Sequence, residues 1–135
     1  MTTPVDGLDR LRAAGEDAQL EEFCTRHAVQ LLTVFGSAAQ RDPQAADLDV
    51  GMMLEPGVTI DYPTVITDLT NLADTEIDLV HLNRAGPVIR ERTLIGSIVL
   101  FESERGACAS ASTAAALERM DTAHLRRLDL ELLAQ

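Results

Sequence analysis

The chain has 135 residues, of which 46% are hydrophobic and 24% charged, a composition typical of one globular domain over residues 1–135 with its own core. A formal net charge of −11 argues against direct binding to nucleic acid, whose phosphates attract basic surfaces. All 11 positively charged side chains are arginine, which excludes mechanisms that need a lysine, such as a P-loop or a covalent lysyl intermediate.

The sequence contains no signal that directs the chain to a membrane. No apolar run reaches the length of about 18 residues that indicates a transmembrane helix. The start, MTTPVDGLDR, lacks the basic and apolar stretches of a signal peptide. We therefore expect a cytoplasmic protein without a membrane partner. Thiols stay reduced in that compartment, so Cys24 and Cys108 are predicted to be small buried hydrophobic residues.

Apolar spacing predicts helices alternating with strands along the chain. The first 15 residues are polar and interrupted by glycine and proline, which predicts a frayed start with a short helical piece. The elements that follow are a helix over 17–27, a strand over 30–35, a helical turn over 37–42, a strand over 47–54, a helix over 60–73, a strand over 76–82, a helix over 87–95 and a strand over 98–102. This alternation indicates an α+β (mixed α/β) fold around one small mixed sheet.

The last predicted element is an alanine-rich helix over about residues 110–133. It is expected to pack on a core formed by about residues 17–102. The residues that would share its apolar side are Leu117, Met120, His124, Leu128 and Leu132.

Acidic residues stand in two of the predicted strands, where apolar residues would be usual. Asp47 and Asp49 lie two residues apart and therefore on one face of their strand, about 6 to 7 Å apart. Asp78 interrupts the later apolar run EIDLVHL. If the two strands are neighbours, the three acids converge, and divalent cations would relieve their repulsion. The alternative for the first two acids alone is that they form a solvated strand edge or cap a turn.

A glycine-serine pair ends the strand before these acids. Gly36 lets a ligand approach the backbone closely, and Ser37 is placed to cap the helical turn that follows. A helix start with free N–H groups is a natural phosphate site. Together with the acids, the pair predicts a site for a nucleoside triphosphate and its metal ions.

The motif residues resemble the minimal nucleotidyltransferase family, a branch of the polymerase-beta-like superfamily. The matching stretches are Phe35-Gly36-Ser37, Asp47-Leu48-Asp49-Val50 and Asp78, and the likeness extends over about residues 17–102. The resemblance implies a polymerase-beta-like nucleotidyltransferase fold. It also implies that the three acids are catalytic and bind two Mg²⁺ ions, and that Gly36 and Ser37 hold the triphosphate of ATP.

The resemblance implies a partner as well. Many such domains are antitoxins that neutralise a HEPN-family RNase toxin by transferring AMP from ATP to a toxin tyrosine, which implies a hetero-oligomer with the cognate toxin. Two alternatives stay open: an antitoxin of this fold that acts by binding only, and a nucleotidyltransferase of small molecules.

The loop GSAAQRD departs from the family pattern GSRARG, because Ala38 replaces the usual basic residue. Arg41 is the predicted nucleotide-binding cation of this loop, with an ordinary surface role as the alternative. Arg119 and His124 have a spacing found in HEPN RNases, which we interpret as chance.

Overall fold

The computed structural model describes the backbone of residues 1–134, and the side chains of these residues except 122, 124–126, 128, 129 and 134. The helices are α1 (Pro4–Glu16), α2 (Gln19–Arg26), α3 (Gly36–Ala39), α4 (Tyr62–Ala73), α5 (Pro87–Leu94) and α6 (Ala107–Ala134). The strands are β1 (Val29–Phe35), β2 (Leu48–Leu54), β3 (Ile77–His81) and β4 (Ile98–Glu102). None of the described helices is both long and apolar enough to span a membrane.

The four strands form one mixed sheet in the order β3-β2-β1-β4. Strand β1 is antiparallel to both β2 and β4, whereas β2 and β3 are parallel. A parallel pair needs a crossover connection, and α4 provides it between β2 and β3. The predicted α+β fold with a small mixed sheet is therefore confirmed.

Alternating side chains give the sheet two apolar faces. On one face, Leu32, Val34 and Val50 join a core with residues of α1, α2 and α4. On the other face, Leu31 packs in a smaller cluster that includes Leu94 of α5. Asp49 lies on the second face, because its neighbour Val50 points into the first core and successive strand residues alternate.

Helix α1 is a full element, so the predicted frayed start is wrong. Thr3 caps it by accepting a hydrogen bond from the backbone N–H of Asp6. Leu8 and Leu11 are fully buried in the first core. The sequence signal is weak because few apolar residues occur among polar ones, and tertiary packing supplies the stability that the segment lacks alone.

The predicted apolar side of α6 is also wrong for the residues that can be checked. Leu117, Met120 and Leu132 are exposed, and the helix is buried instead through Cys108 and Ala115. These small residues pack in the cluster that contains Leu94 of α5 and Leu31 of β1. The side chains of His124 and Leu128 lie outside the described residues.

Two ion pairs join α6 to α5. Arg90 donates to Glu118, and Arg119 donates to Glu91. Arg119 thus has a structural contact, which agrees with its interpretation as a chance match to the RNase spacing.

Candidate active site

One end of the sheet brings together the end of β1 and the starts of the other three strands. Phe35 is paired with Asp49, and Val34 is paired with Ile98 at the start of β4. Because β3 runs parallel to β2, its first residues lie at this same end. All the motif residues predicted from the sequence therefore lie at one edge, called the acidic edge below.

The three acids converge at the acidic edge. Asp49 is paired directly with Asp78 across the parallel strands, and Asp47 comes two residues earlier, immediately before β2 begins. Carboxylate oxygens from the three side chains lie within 4.8 Å of one another. The convergence depends on the adjacency of β2 and β3, which the sequence analysis had to assume.

The three carboxylates of the cluster repel one another. Burial, followed by the charges of Asp47 and Asp78, raises the pKa of Asp49 to about 6. None of the ion pairs found in the described part of the chain involves these three acids. An arrangement of this kind favours an external cation.

The donor set fits a hard divalent cation. Mg²⁺ binds carboxylate oxygens and commonly adds oxygens from substrate phosphates. Asp47 and Asp49 are half-buried and Asp78 is exposed, so the cluster faces solvent on one side and leaves room for a ligand. The residues present therefore suit a cation that is shared with a phosphorylated substrate.

Gly36 forms the sharp link between β1 and α3. Its φ of +74° lies in the left-handed region, and a Cβ atom at this position would overlap Oδ2 of Asp49. Glycine therefore serves two purposes here: it permits the turn, and it lets the backbone lie against the acid. The sequence predicted that Gly36 lets a ligand approach the backbone, whereas the left-handed turn and the contact with Asp49 required the structure.

Ser37 is half-buried in the first turn of α3. It does not cap the helix, so the predicted cap is wrong: α3 begins one residue earlier, and its N-cap residue, Phe35, makes no side-chain hydrogen bond. Without a capping side chain, the first backbone N–H groups of α3 remain available to an anionic ligand.

Arg41 is in the loop after α3 but is engaged elsewhere. Its Nη1 and Nη2 atoms donate to the two carboxylate oxygens of Asp9 in α1, at 3.0 and 3.1 Å. This pair lowers the pKa of Asp9 and raises the pKa of Arg41. The structure thus shows a surface contact for Arg41, while its predicted contact with a nucleotide stays a prediction.

A cleft of about 520 Å³ opens beside Gly36, between α3 and the C-terminal end of α5. Its volume is within the range of small-molecule sites. The residues that line it are Phe35, Gly36, Ala39, Gln40, Val80, Ile89, Arg92, Thr93, Ile95 and Gly96. The cleft could not be predicted from the sequence, because it depends on how α5 returns to the acidic edge.

Gly51 is a second glycine that positions the site and that the sequence analysis missed. A Cβ atom at this position would lie 2.6 Å from both Oγ1 of Thr33 and Cγ2 of Thr93. Glycine therefore lets α5 approach the sheet two residues after Asp49, on the same face. A glycine inside an apolar strand run is the signal that could have revealed this close approach.

The comparison with family models gives a match over residues 18–106, which include the glycine-serine pair and the three acids. The matching description is "Polymerase beta, Nucleotidyltransferase". The chain belongs to this nucleotidyltransferase family. The resemblance stated from the motif residues is thereby confirmed. Among curated proteins, none matches the chain.

Solved structures share the fold of this nucleotidyltransferase. A toxin–antitoxin structure with AMP-PNP gives a TM-score of 0.65 at 16% identity, covering 87% of this chain and 98% of the other. A complex of tri-AMPylated HEPN toxin and MNT antitoxin from Shewanella oneidensis gives 0.61 at 15% identity, covering 90% and 98%. A structure described as a minimal nucleotidyltransferase gives 0.53 at 31% identity, covering 67% and 93%.

Proposed function

We propose that this nucleotidyltransferase is an antitoxin that transfers AMP from ATP to a tyrosine hydroxyl of a cognate HEPN-family RNase toxin. The observation that carries the proposal is the convergence of Asp47, Asp49 and Asp78, within 4.8 Å of one another and beside Gly36. The similar complexes support the partner and the transferred group by analogy, because one contains AMP-PNP and another a tri-AMPylated toxin.

The three acids would hold Mg²⁺, with two ions as the expected number. Bound there, Mg²⁺ supplies positive charge that stabilises the negative charge developing on the α-phosphate and on the pyrophosphate. Gly36 and Ser37 would hold the triphosphate through the free N–H groups at the start of α3. Because Gly36 has no side chain beside the Asp49 carboxylate, the phosphates would be able to approach the backbone there.

The reaction is a displacement at the α-phosphorus of ATP. The tyrosine oxygen forms a bond to the α-phosphorus, while the bond from that phosphorus to the bridging oxygen of the β-phosphate breaks. Pyrophosphate leaves, and the phenolic proton passes to a carboxylate. Asp78 suits that role because it is the most exposed of the three acids and can reach an acceptor on another protein.

Arg41 is proposed to bind the nucleotide, but in the structure it is held by Asp9. It would contact the nucleotide only after releasing its two hydrogen bonds to Asp9. An arginine held in this way also suits an antitoxin that neutralises by binding alone, so turnover must be tested separately from neutralisation.

The test is incubation of the chain with Mg²⁺, its HEPN partner and ATP labelled at the α-phosphate. We expect the label to appear on an intact partner tyrosine, identified by mass spectrometry. The Asp49→Asn variant should transfer none. Asp17→Asn removes an equivalent charge between α1 and α2, and asparagine keeps the oxygen that accepts from the backbone N–H of Gln19, so this control should be as active as the natural chain.

Two outcomes would contradict the proposal. If the partner acquires no AMP although the natural chain neutralises its RNase activity, and Asp47→Asn/Asp49→Asn neutralises equally at the same stoichiometry, the binding-only alternative is correct. If labelled AMP is transferred to a small hydroxylated molecule without any protein acceptor, the small-molecule alternative is correct.

A further inference from the structure

The loop after β1 offers little positive charge to a triphosphate. Between Gly36 and Asp47 the only cation is Arg41, and both of its terminal nitrogens are engaged by Asp9. A triphosphate carries several negative charges, and metal ions held by three carboxylates offset only part of them. A further cation at the site would therefore strengthen nucleotide binding.

Arg92 is the only charged residue among those that line the cleft beside Gly36. It lies three residues after Ile89, which also lines the cleft, and this helical spacing places both side chains on one side of α5. The side chain is exposed, and its guanidinium makes no ion pair or hydrogen bond with any residue that the structure describes. It is therefore free to bind an anion.

Arg92 also borders a small depression between α5 and α6, where an acid could have paired with it. Glu91 borders that depression too, but it accepts from Arg119. The local charges thus leave Arg92 available to the cleft.

The topology brings Arg92 to the acidic edge. Strand β3 begins there with Asp78 nearby and runs away from it, so the following helix α5 returns toward it. Strand β4 then starts opposite Val34, which fixes the C-terminal end of α5 next to the end of β1. Arg92 lies in this last turn, close to Gly36 along the same cleft.

We propose that Arg92 binds the triphosphate of the nucleotide from the rim of the cleft and so provides the cation that the loop after β1 does not. The inference rests on the proposed function and adds a binding residue to it. A guanidinium suits this task because it forms two parallel hydrogen bonds to phosphate oxygens.

The test is calorimetric titration of the full chain with a non-hydrolysable ATP analogue and Mg²⁺ at several salt concentrations. We expect Arg92→Gln to weaken binding about ten-fold and to reduce its salt dependence, as loss of one charge-assisted contact should. Arg92→Lys should recover part of the affinity. Arg105→Gln removes an exposed charge at the opposite end of the sheet and should bind like the natural chain. Thermal unfolding of each variant checks that the fold is intact.

The outcomes separate the two proposals. If the natural chain binds the analogue and Arg92→Gln binds it equally well, or if Arg41→Gln alone loses affinity, Arg92 is not the binding residue and the proposed function stands. If the natural chain binds no analogue, both fail. If Arg92→Gln weakens binding as expected but no AMP reaches the HEPN partner, Arg92 is a nucleotide-binding residue and the proposed acceptor is wrong.

Discussion

Asp49 and Asp78 are direct partners across the parallel strands β2 and β3, so two carboxylates occupy one rung of the sheet. Like charges in this arrangement repel each other, and Asp47 adds a third within the same 4.8 Å cluster. The fold tolerates this repulsion at one edge of an otherwise apolar sheet. A bound divalent cation would offset this repulsion by supplying the opposite charge.

Removal of one charge from this cluster should stabilise the metal-free protein. We expect Asp49→Asn to raise the free energy of unfolding at pH 7.5 by about 1 kcal/mol, a value reduced from the full pKa shift because solvent screens the repulsion. Urea unfolding in the presence of a chelator measures the difference. Added Mg²⁺ should stabilise the natural chain and leave the variant nearly unchanged. A variant less stable than the natural chain without metal would contradict the repulsion described above.

The same repulsion should depend on pH in one direction. Because the pKa of Asp49 is raised from 3.8 to about 6 in the folded protein, folding favours its protonated form. The stabilising contribution is complete below pH 3.8 and is lost as the pH rises through 6. The stability of Asp49→Asn relative to the natural chain should therefore increase between about pH 4 and pH 7.

Unfolding of both proteins in urea across this pH range provides the measurement. The comparison cancels the contributions of ionisable groups that lie away from the cluster, because the substitution leaves their surroundings unchanged. A difference that stays constant from pH 4 to pH 7 would show that Asp49 has an ordinary pKa.

The acidic edge could be predicted from the sequence because strand alternation is local. Two acids separated by one residue on a strand must share a face. An acid inside an apolar run is exceptional, and this marks Asp78 as a candidate functional residue. The pairing of β2 with β3 had to be assumed, because the sequence of a strand does not show which other strand it pairs with. Once that assumption holds, Asp47, Asp49 and Asp78 converge.

Features that depend on packing between distant segments could not be predicted. Helix α1 has few apolar residues, yet Leu8 and Leu11 are fully buried because α4 and the sheet cover them. The contact of Arg41 with Asp9 joins residues 32 positions apart, and no local pattern announces it. Conversely, Leu117 and Met120 have helical spacing but remain exposed, since α6 packs through its smaller residues.

Gly36 should be needed for the site beyond its backbone conformation. Gly36→Ala adds a Cβ that overlaps the Asp49 carboxylate and also strains a left-handed position. Gly57→Ala is the matched control, because Gly57 has a similar φ of +81° but nothing within 4 Å of an added Cβ. Both variants should lose about 1 to 2 kcal/mol of stability through backbone strain. Only Gly36→Ala should also weaken the binding of Mg²⁺ with an ATP analogue, by about ten-fold or more.

Thermal unfolding and calorimetric titration measure the two effects separately. Equal ligand affinity in the two alanine variants would show that the contact between Gly36 and Asp49 has no role in binding.

Thr33 offers a test of the packing behind the acids. Its side chain is fully buried, and its Oγ1 atom has no hydrogen-bond partner among the described residues. Thr33→Val replaces an unpaired hydroxyl by a methyl group of nearly the same size, so we expect the free energy of unfolding to rise by about 1 kcal/mol. Thr93→Val is the matched control at an equally buried position: the Thr93 hydroxyl donates to the Ile89 carbonyl at 2.7 Å, so its loss should not stabilise the protein. Urea unfolding of both variants decides the point, and destabilisation by Thr33→Val would show that its hydroxyl is satisfied in solution.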